Sequence, residues 1–213
     1  MPTVIMLGNG GHARVLRATL RLLGTEVEAF AVDPAALEHQ KPRDPMLIGD
    51  EELLERPVAR YQLVNGIGGV DVPRLRQSVY ARFRAVGFGF RSVVHPDAIV
   101  AADVRLAAGV QIMAGAIIQA AADIGENAIV NTRVVIEHDC VIGAHSHIAT
   151  GAILAGDVHV GSCSMIGAGT VIRQGIRIGA GALVAAGAVV VRNVPDGARV
   201  AGVPARPMRN STR

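Results

Sequence analysis

The 213-residue chain has no tryptophan, two tyrosines and four phenylalanines, so aromatic residues make up only 3% of it. Most globular cores use those rings as bulky filler. This one has to be assembled from Val, Ile, Leu and Ala, which suits a repetitive fold with narrow, identical slots. Cysteine is nearly as scarce: Cys140 and Cys163 cannot make a disulfide framework, and two reduced thiols fit a cytoplasmic protein. No apolar run approaches the roughly 18 residues of a membrane-spanning helix, and residues 1–8 lack the charged and apolar regions of a secretory signal. The expected location is the cytoplasm, with no membrane partner. The charge excess is only +3, and no basic stripe with interleaved aromatics marks a nucleic-acid surface. The densest basic run, Arg74 to Arg84, has helical spacing and reads as a solvated helix face. Hydrophobic residues reach 50%, too many for a disordered chain, and the 25 glycines are too few for a collagen.

Thr3–Leu7 is a short apolar run that ends at Gly8-Asn9-Gly10-Gly11-His12. A helical pattern follows through Val15, Leu16, Leu20, Leu22 and Leu23 to Gly24, and a second apolar run, Val27 to Val32, leads to Asp33. Strand, glycine turn, helix and strand in that order predict a βαβ unit with parallel strands. A helix near 50–56, a strand at 61–67 and a helix at 74–86 continue the alternation, giving a small, open, Rossmann-like α/β domain over residues 1–90. In its first turn Gly8, Gly10 and Ala13 fit G-x-G-x-x-A, and Asp33 stands where a ribose-binding acid would. Small residues let a phosphate approach the backbone, and the helix start offers free N–H groups. About 90 residues supply only half of a doubly wound dinucleotide sheet. A single nucleotide diphosphate, such as a sugar nucleotide, therefore fits better than NAD, with a plain tight turn as the bland alternative. His12 at the helix start is placed to reach an anion.

From Val94 onward the chain counts in sixes. Every sixth residue from Val94 to Val190, seventeen positions in all, is Val, Ile or Leu. The fourth residue after each is small or β-branched, as at Ala98, Val110, Ala128, Cys140 and Ser146, and glycine often follows the aliphatic, as at Gly125, Gly143 and Gly161. A period of six fits neither a helix nor a flat strand. It predicts a parallel β-helix, three short strands to a triangular coil and five to six coils in all, with the aliphatic residues stacked inward. Cys140 falls on an inward position and reads as core rather than as a nucleophile.

Several segments carry a resemblance: GNGGHARV at the first turn, HPDAIV at the entry to the repeats, Asn131-Thr132, EHDC with a second His nine residues on, and the ending NVPDGARVAGVPARPM. The chain resembles, over nearly its whole length, bacterial nucleotide-sugar acetyltransferases of the PglD and NeuD kind within the hexapeptide-repeat acyltransferases. The resemblance implies a left-handed β-helix over residues 91–213 beside the nucleotide-sugar-binding domain of residues 1–90. It also implies a homotrimer and acetyl-CoA as acetyl donor, with no metal.

His138 is third in its hexad, at a corner of the prism, so its side chain points outward. Glu137 and Asp139 flank it, and either can hold one ring nitrogen and raise its basicity, as suits a base that deprotonates an amine or hydroxyl. Gly156 lies one coil of 18 residues later, where its amide can meet an oxyanion. The resemblance makes His138 the general base, Asp139 its supporting acid and His147 a contact to acetyl-CoA. It matches Ala168 and Ala186 to further acetyl-CoA contacts and Asn131 to a residue near the incoming amine. The sugar nucleotide falls against Gly10, Gly11, His12 and Asp33, although Pro34 stands where a second acid often follows. Transfer to an aminosugar, with the 4-amino group preferred, is the expected reaction. O-acetylation of a sugar such as sialic acid and a non-catalytic sugar-nucleotide sensor are the alternatives. A zinc hydrase using His145, His147 and His159 is a third. Outward Ala149, Ala155 and Ala185 are expected to lie in the subunit interface, and His95, before Pro96 at the junction, to be structural.

Overall fold

The computed structural model describes residues 3–32 and 47–208. The first part of the chain forms one parallel sheet of β1 (Thr3–Leu7), β2 (Val27–Val32), β3 (Leu47–Gly49), β4 (Tyr61–Asn65) and β5 (Gly89–Phe90), in the order β3-β2-β1-β4-β5. Successive side chains of a strand point to opposite faces, and β1 shows the result. Ile5 and Leu7 pack with Leu53, Tyr80 and Phe83 from α2 (Asp50–Leu54) and α3 (Arg74–Val86), whereas Val4 and Met6 pack with Ala13, Leu16 and Leu20 of α1 (Gly11–Leu22). Val93 and Met113 from the repeats join that second cluster, so the sheet domain and the repeats share a core. Val15 and Leu22 of the α1 pattern face solvent.

β4 stops at Asn65, two residues short of the expected end, because Gly66 leaves the sheet surface at very close quarters. Its N–H donates to Leu7 C=O at 2.8 Å, and a Cβ there would stand 2.7 Å from the Ala13 methyl. The Arg74–Arg84 run departs from a purely solvated face at one point. Arg76 is buried, and main-chain carbonyls engage two of its three nitrogens: Nε donates to Asn127 O, and Nη1 to Asn65 O and Ile67 O. A buried guanidinium is tolerable only with such partners.

From Val93 the chain winds as a three-sided prism of two-residue strands, residues pairing in parallel with those 18 positions on, as in Ile129↔His147 and His147↔Met165, until the last coil, where Leu183 pairs with Arg199. One side runs from Val93–Val94 through Gln111–Ile112, Ile129–Val130, His147–Ile148, Met165–Ile166 and Leu183–Val184 to Arg199–Ala201, and is closed by antiparallel Arg206–Pro207. A second runs from Ile99–Val100 to Val189–Val190, a third from Arg105–Leu106 to Arg177–Ile178. The sixth-position aliphatics from Ile112 to Val190 are buried in one continuous core, and Val94, Val100 and Leu106 pack against its end. Cys140 is inside this core, as expected. One residue in each hexad turns the corner with positive φ, every sixth position from Gly109 to Gly187. Seven of these are not glycine, Asp139 (φ 61°) among them.

The outward residues decide what each side can do. On the second side they are Ile99, Ile117, Val135, Ile153, Val171 and Val189, an aliphatic ladder in which Ile99 is 65% exposed and Ile153 43%. The third side carries charge: Arg105 pairs with Asp123 at 2.9 Å, and Arg177 bonds His159 at 3.1 Å. Ala149 does not lie on an exposed face, contrary to expectation. It is buried with Met165 and Leu183, and Val72 of the first domain packs over them with Ala185.

Candidate active site

His138 sits on the corner between the second and third sides, with its imidazole open to solvent. Its Nδ1 lies 2.7 Å from Asp139 Oδ2. A carboxylate only accepts, so Nδ1–H donates and Nε2 keeps its lone pair. Asp139 thereby raises the His138 pKa above its ordinary value, and the nearby charges of Glu137 and Asp157 add to this. Glu137 contributes charge alone, while the hydrogen-bonded acid is Asp139. Gly156 lies beneath the ring in the next coil, where Asp157 N–H donates to His138 C=O at 2.9 Å.

A cavity of ≈ 330 Å³ opens on the first side of the prism. Asn131, His147, Met165, Ala168, Leu183 and Ala186 line it, with Gly69 and Val70 of the first domain. Four of the sequence-assigned residues thus come together here: Asn131, His147, Ala168 and Ala186. Asn131 Oδ1 accepts from Thr132 N–H at 2.7 Å, which turns Nδ2 towards His147 Nε2 at 3.2 Å. Nε2 therefore accepts, and the ring proton is on Nδ1. Burial drives the His147 pKa down to about 3, and a hydrogen bond with the Gly69 backbone offsets this only in part. His147 is a neutral ring.

A second cavity, of ≈ 420 Å³, lies at the ends of β1 and β4, lined by Gly8, Gly10, Gly11, His12, Gly66, Ile67, Gly68, Gly69 and Val70. The chain leaves β1 towards β2 on one flank and later returns through β4 on the other. The cavity therefore stands at the switch point where open α/β sheets hold ligands. No side chain caps the start of α1 at Gly10, so its first N–H groups are available to an anion. His12 lines this cavity and is also anchored across the domain junction. Its Nε2 donates to Gln111 Oε1 at 2.7 Å, and Gln111 Nε2 donates to Asn65 O at 2.8 Å. Burial pushes its pKa down to about 4, so it ties α1 to the prism as a neutral ring instead of offering a cation. Asp33 lies outside the described residues.

One family description matches residues 121–156, the Bacterial transferase hexapeptide (six repeats). The acetyltransferase domain of PglB from Neisseria gonorrhoeae is 33% identical, covers 98% of this chain and 100% of its own, and superposes with a TM-score of 0.89. The chain belongs to the hexapeptide-repeat nucleotide-sugar acetyltransferases. PerB from Caulobacter crescentus, solved in complex with CoA and GDP-perosamine, is 37% identical over 98% of each chain, with a TM-score of 0.89. The same Neisseria domain in complex with acetyl coenzyme A is 32% identical over 97% of this chain and 98% of that one, with a TM-score of 0.87.

In this acetyltransferase the remaining sequence assignments separate. His145 bonds Asn127, His147 bonds Asn131 and His159 bonds Asp157, on different parts of the prism, so the three do not converge. His95 Nδ1 accepts from Asp97 N–H in its own turn. The sequence reading missed the Gly66–Val70 loop and the buried link between domains. In that link Asn65 Nδ2 donates to Asn127 Oδ1 and to Arg76 O. The second glycine cluster, Gly66-Ile67-Gly68-Gly69 after a strand, was the available signal for the loop.

Proposed function

We propose that the enzyme moves acetyl from acetyl-CoA to the amino group, preferentially the 4-amino group, of a nucleotide-linked deoxysugar, with His138 as general base. The observation that carries this reading is the Asp139–His138 pair, which holds Nδ1–H at 2.7 Å and leaves Nε2 open. The amine nitrogen attacks the thioester carbonyl as Nε2 takes its proton. The Gly156 N–H takes up the developing oxyanion, and the imidazolium returns the proton to the departing CoA thiolate. The transfer is direct. Cys140, the cysteine nearest in sequence, is buried, and its thiol pKa is pushed up to about 11. The nucleotide sugar lies in the glycine cavity of residues 1–90, and the left-handed prism of residues 91–213 holds the acetyl donor beside His147, Ala168 and Ala186. The PerB and PglB complexes support both ligand classes.

Within one chain the prism core stands between His138 and the cavity of His147. One acetyl group cannot touch both, and the reaction needs a corner from a neighbouring copy. The outward Ile99–Val189 ladder supports such an assembly, since an aliphatic face of that kind is normally covered, and we assign the protein as a homotrimer. The test is coenzyme A release with acetyl-CoA against GDP-, UDP- and dTDP-linked 4-aminosugars and their 4-hydroxy congeners. Amide products from the aminosugars alone are expected. Transfer to the hydroxyl congeners, or to none, overturns the reading.

A further inference from the structure

A third cavity, of ≈ 340 Å³, is lined by Asp71, Val72, Arg74 and Arg199. Arg199 extends the first side of the prism by one coil, as the register partner of Leu183. The Asp71 carboxylate meets its guanidinium at 3.2 and 3.4 Å. Arg74, at the start of α3, also lies close enough to help hold the Asp71 carboxyl below its ordinary pKa. Among the described residues the Arg74 side chain makes no hydrogen bond, and no side chain caps α3. Two guanidinium groups against one carboxylate leave a net positive cavity whose donors are in part uncommitted.

This cavity continues the one that holds His147. Leu183 lines the His147 cavity and pairs with Arg199, and Val72 lines the arginine cavity while packing over Ala149, Met165 and Leu183. From His147 through Met165 and Leu183 to Arg199 is three strand steps, about 14 Å at ~4.8 Å each. An extended pantetheine arm spans that reach. A donor whose acetyl end lies at His147 and whose arm follows this side carries its phosphates to the arginines. Guanidinium is the group best matched to phosphate oxygens, through its paired donors.

We propose that Arg74 and Arg199 form the phosphate subsite for acetyl-CoA, with Asp71 as an internal anion that the phosphate displaces or shares. The proposal rests on the acetyl-CoA reading above. Both the pyrophosphate and the 3′-phosphate offer the required chemistry, and the ligand series separates them.

The experiment is titration calorimetry of the full-length protein with CoA, 3′-dephospho-CoA and pantetheine. It compares the wild type with Arg74→Gln/Arg199→Gln, with Asp71→Asn and with Arg60→Gln as a remote charge control. The double variant is expected to bind CoA at least tenfold more weakly, equivalent to about 1.4 kcal/mol, and pantetheine within twofold of wild type. Asp71→Asn is expected to tighten CoA severalfold, and Arg60→Gln to change nothing. A double variant that weakens dephospho-CoA as much as CoA assigns the pyrophosphate. One that leaves dephospho-CoA at its wild-type affinity assigns the 3′-phosphate. Unchanged CoA affinity in the double variant, or an equal loss for pantetheine, overturns the subsite while leaving the acetyl-donor reading intact. A wild-type protein that binds no CoA overturns both.

Discussion

A methyl group added to Gly156 would stand 2.5 Å from Nε2 of His138. The His138 imidazole rests on a bare Cα, and coil-to-coil stacking brings the two together from 18 residues apart. Gly156 is thus both an unobstructed amide and the floor that sets the height of the ring. Its φ is outside the left-handed region, so a Cβ there adds bulk without backbone strain.

Gly156→Ala should therefore lower kcat at least tenfold by displacing the ring, while the melting temperature and the CoA Kd stay close to wild type. Steady-state kinetics beside calorimetry check this, and wild-type kcat would show that the ring does not work from its position in this structure.

The pH profile follows from the Asp139 bond. A general base acts unprotonated, and the His138 pKa lies above its ordinary 6.5. The value of kcat/KM should rise with pH through an inflection above 6.5. Asp139→Asn should move that inflection down and reduce the plateau. His138→Asn should cut kcat by ~10²-fold or more, the usual contribution of a general base, with CoA binding retained.

Gly10 gives a clean probe of the nucleotide cavity, because a Cβ there meets nothing within 4 Å of the protein itself. Gly10→Val should fold normally and raise the nucleotide-sugar KM at least tenfold, about 1.4 kcal/mol. The acetyl-CoA KM should stay within twofold. Equal effects on both constants would remove the division of labour between the two cavities.

The aliphatic side predicts the assembly. Ile153→Asp places a carboxylate in the middle of the ladder, and the trimer should dissociate in light scattering with loss of activity but retention of β-sheet circular dichroism. A trimer that survives this change is held by some other surface.

Acid should loosen the domain junction. His12 is held near pKa 4 in the fold against an ordinary 6.5. The unfolded chain then binds the extra proton between those values, so stability is full above 6.5 and falls as pH drops towards 4. The single residue is worth roughly 3 kcal/mol across that window, and His147 acts in the same sense. Denaturant melts from pH 7 to 4 should show the decline, and His12→Gln should flatten it.

The prism was legible because its core repeats one contact, so a count by sixes names the buried residue in every coil. His138 and Asp139 were legible for the opposite reason: adjacent in sequence, they find one another whatever surrounds them. Arg76 was not, because its partners come from residues 65, 67 and 127 and helical spacing alone reports a solvated cation. The anchoring of His12 was hidden in the same way, since the group that engages it, Gln111, is 99 residues distant. The Asn131–His147 contact was hidden as well, because only the winding of the coil brings residues 16 apart together.

Gly69 and Val70 border both the cavity assigned to the sugar nucleotide and the one assigned to acetyl-CoA. The two chambers have a party wall, and a ligand that shifts it on one side reshapes the other. Affinities measured for either substrate alone are then conditional quantities, and linkage requires each to alter the other by the same factor. A loop variant that changes one constant should be read first for what it does across the wall.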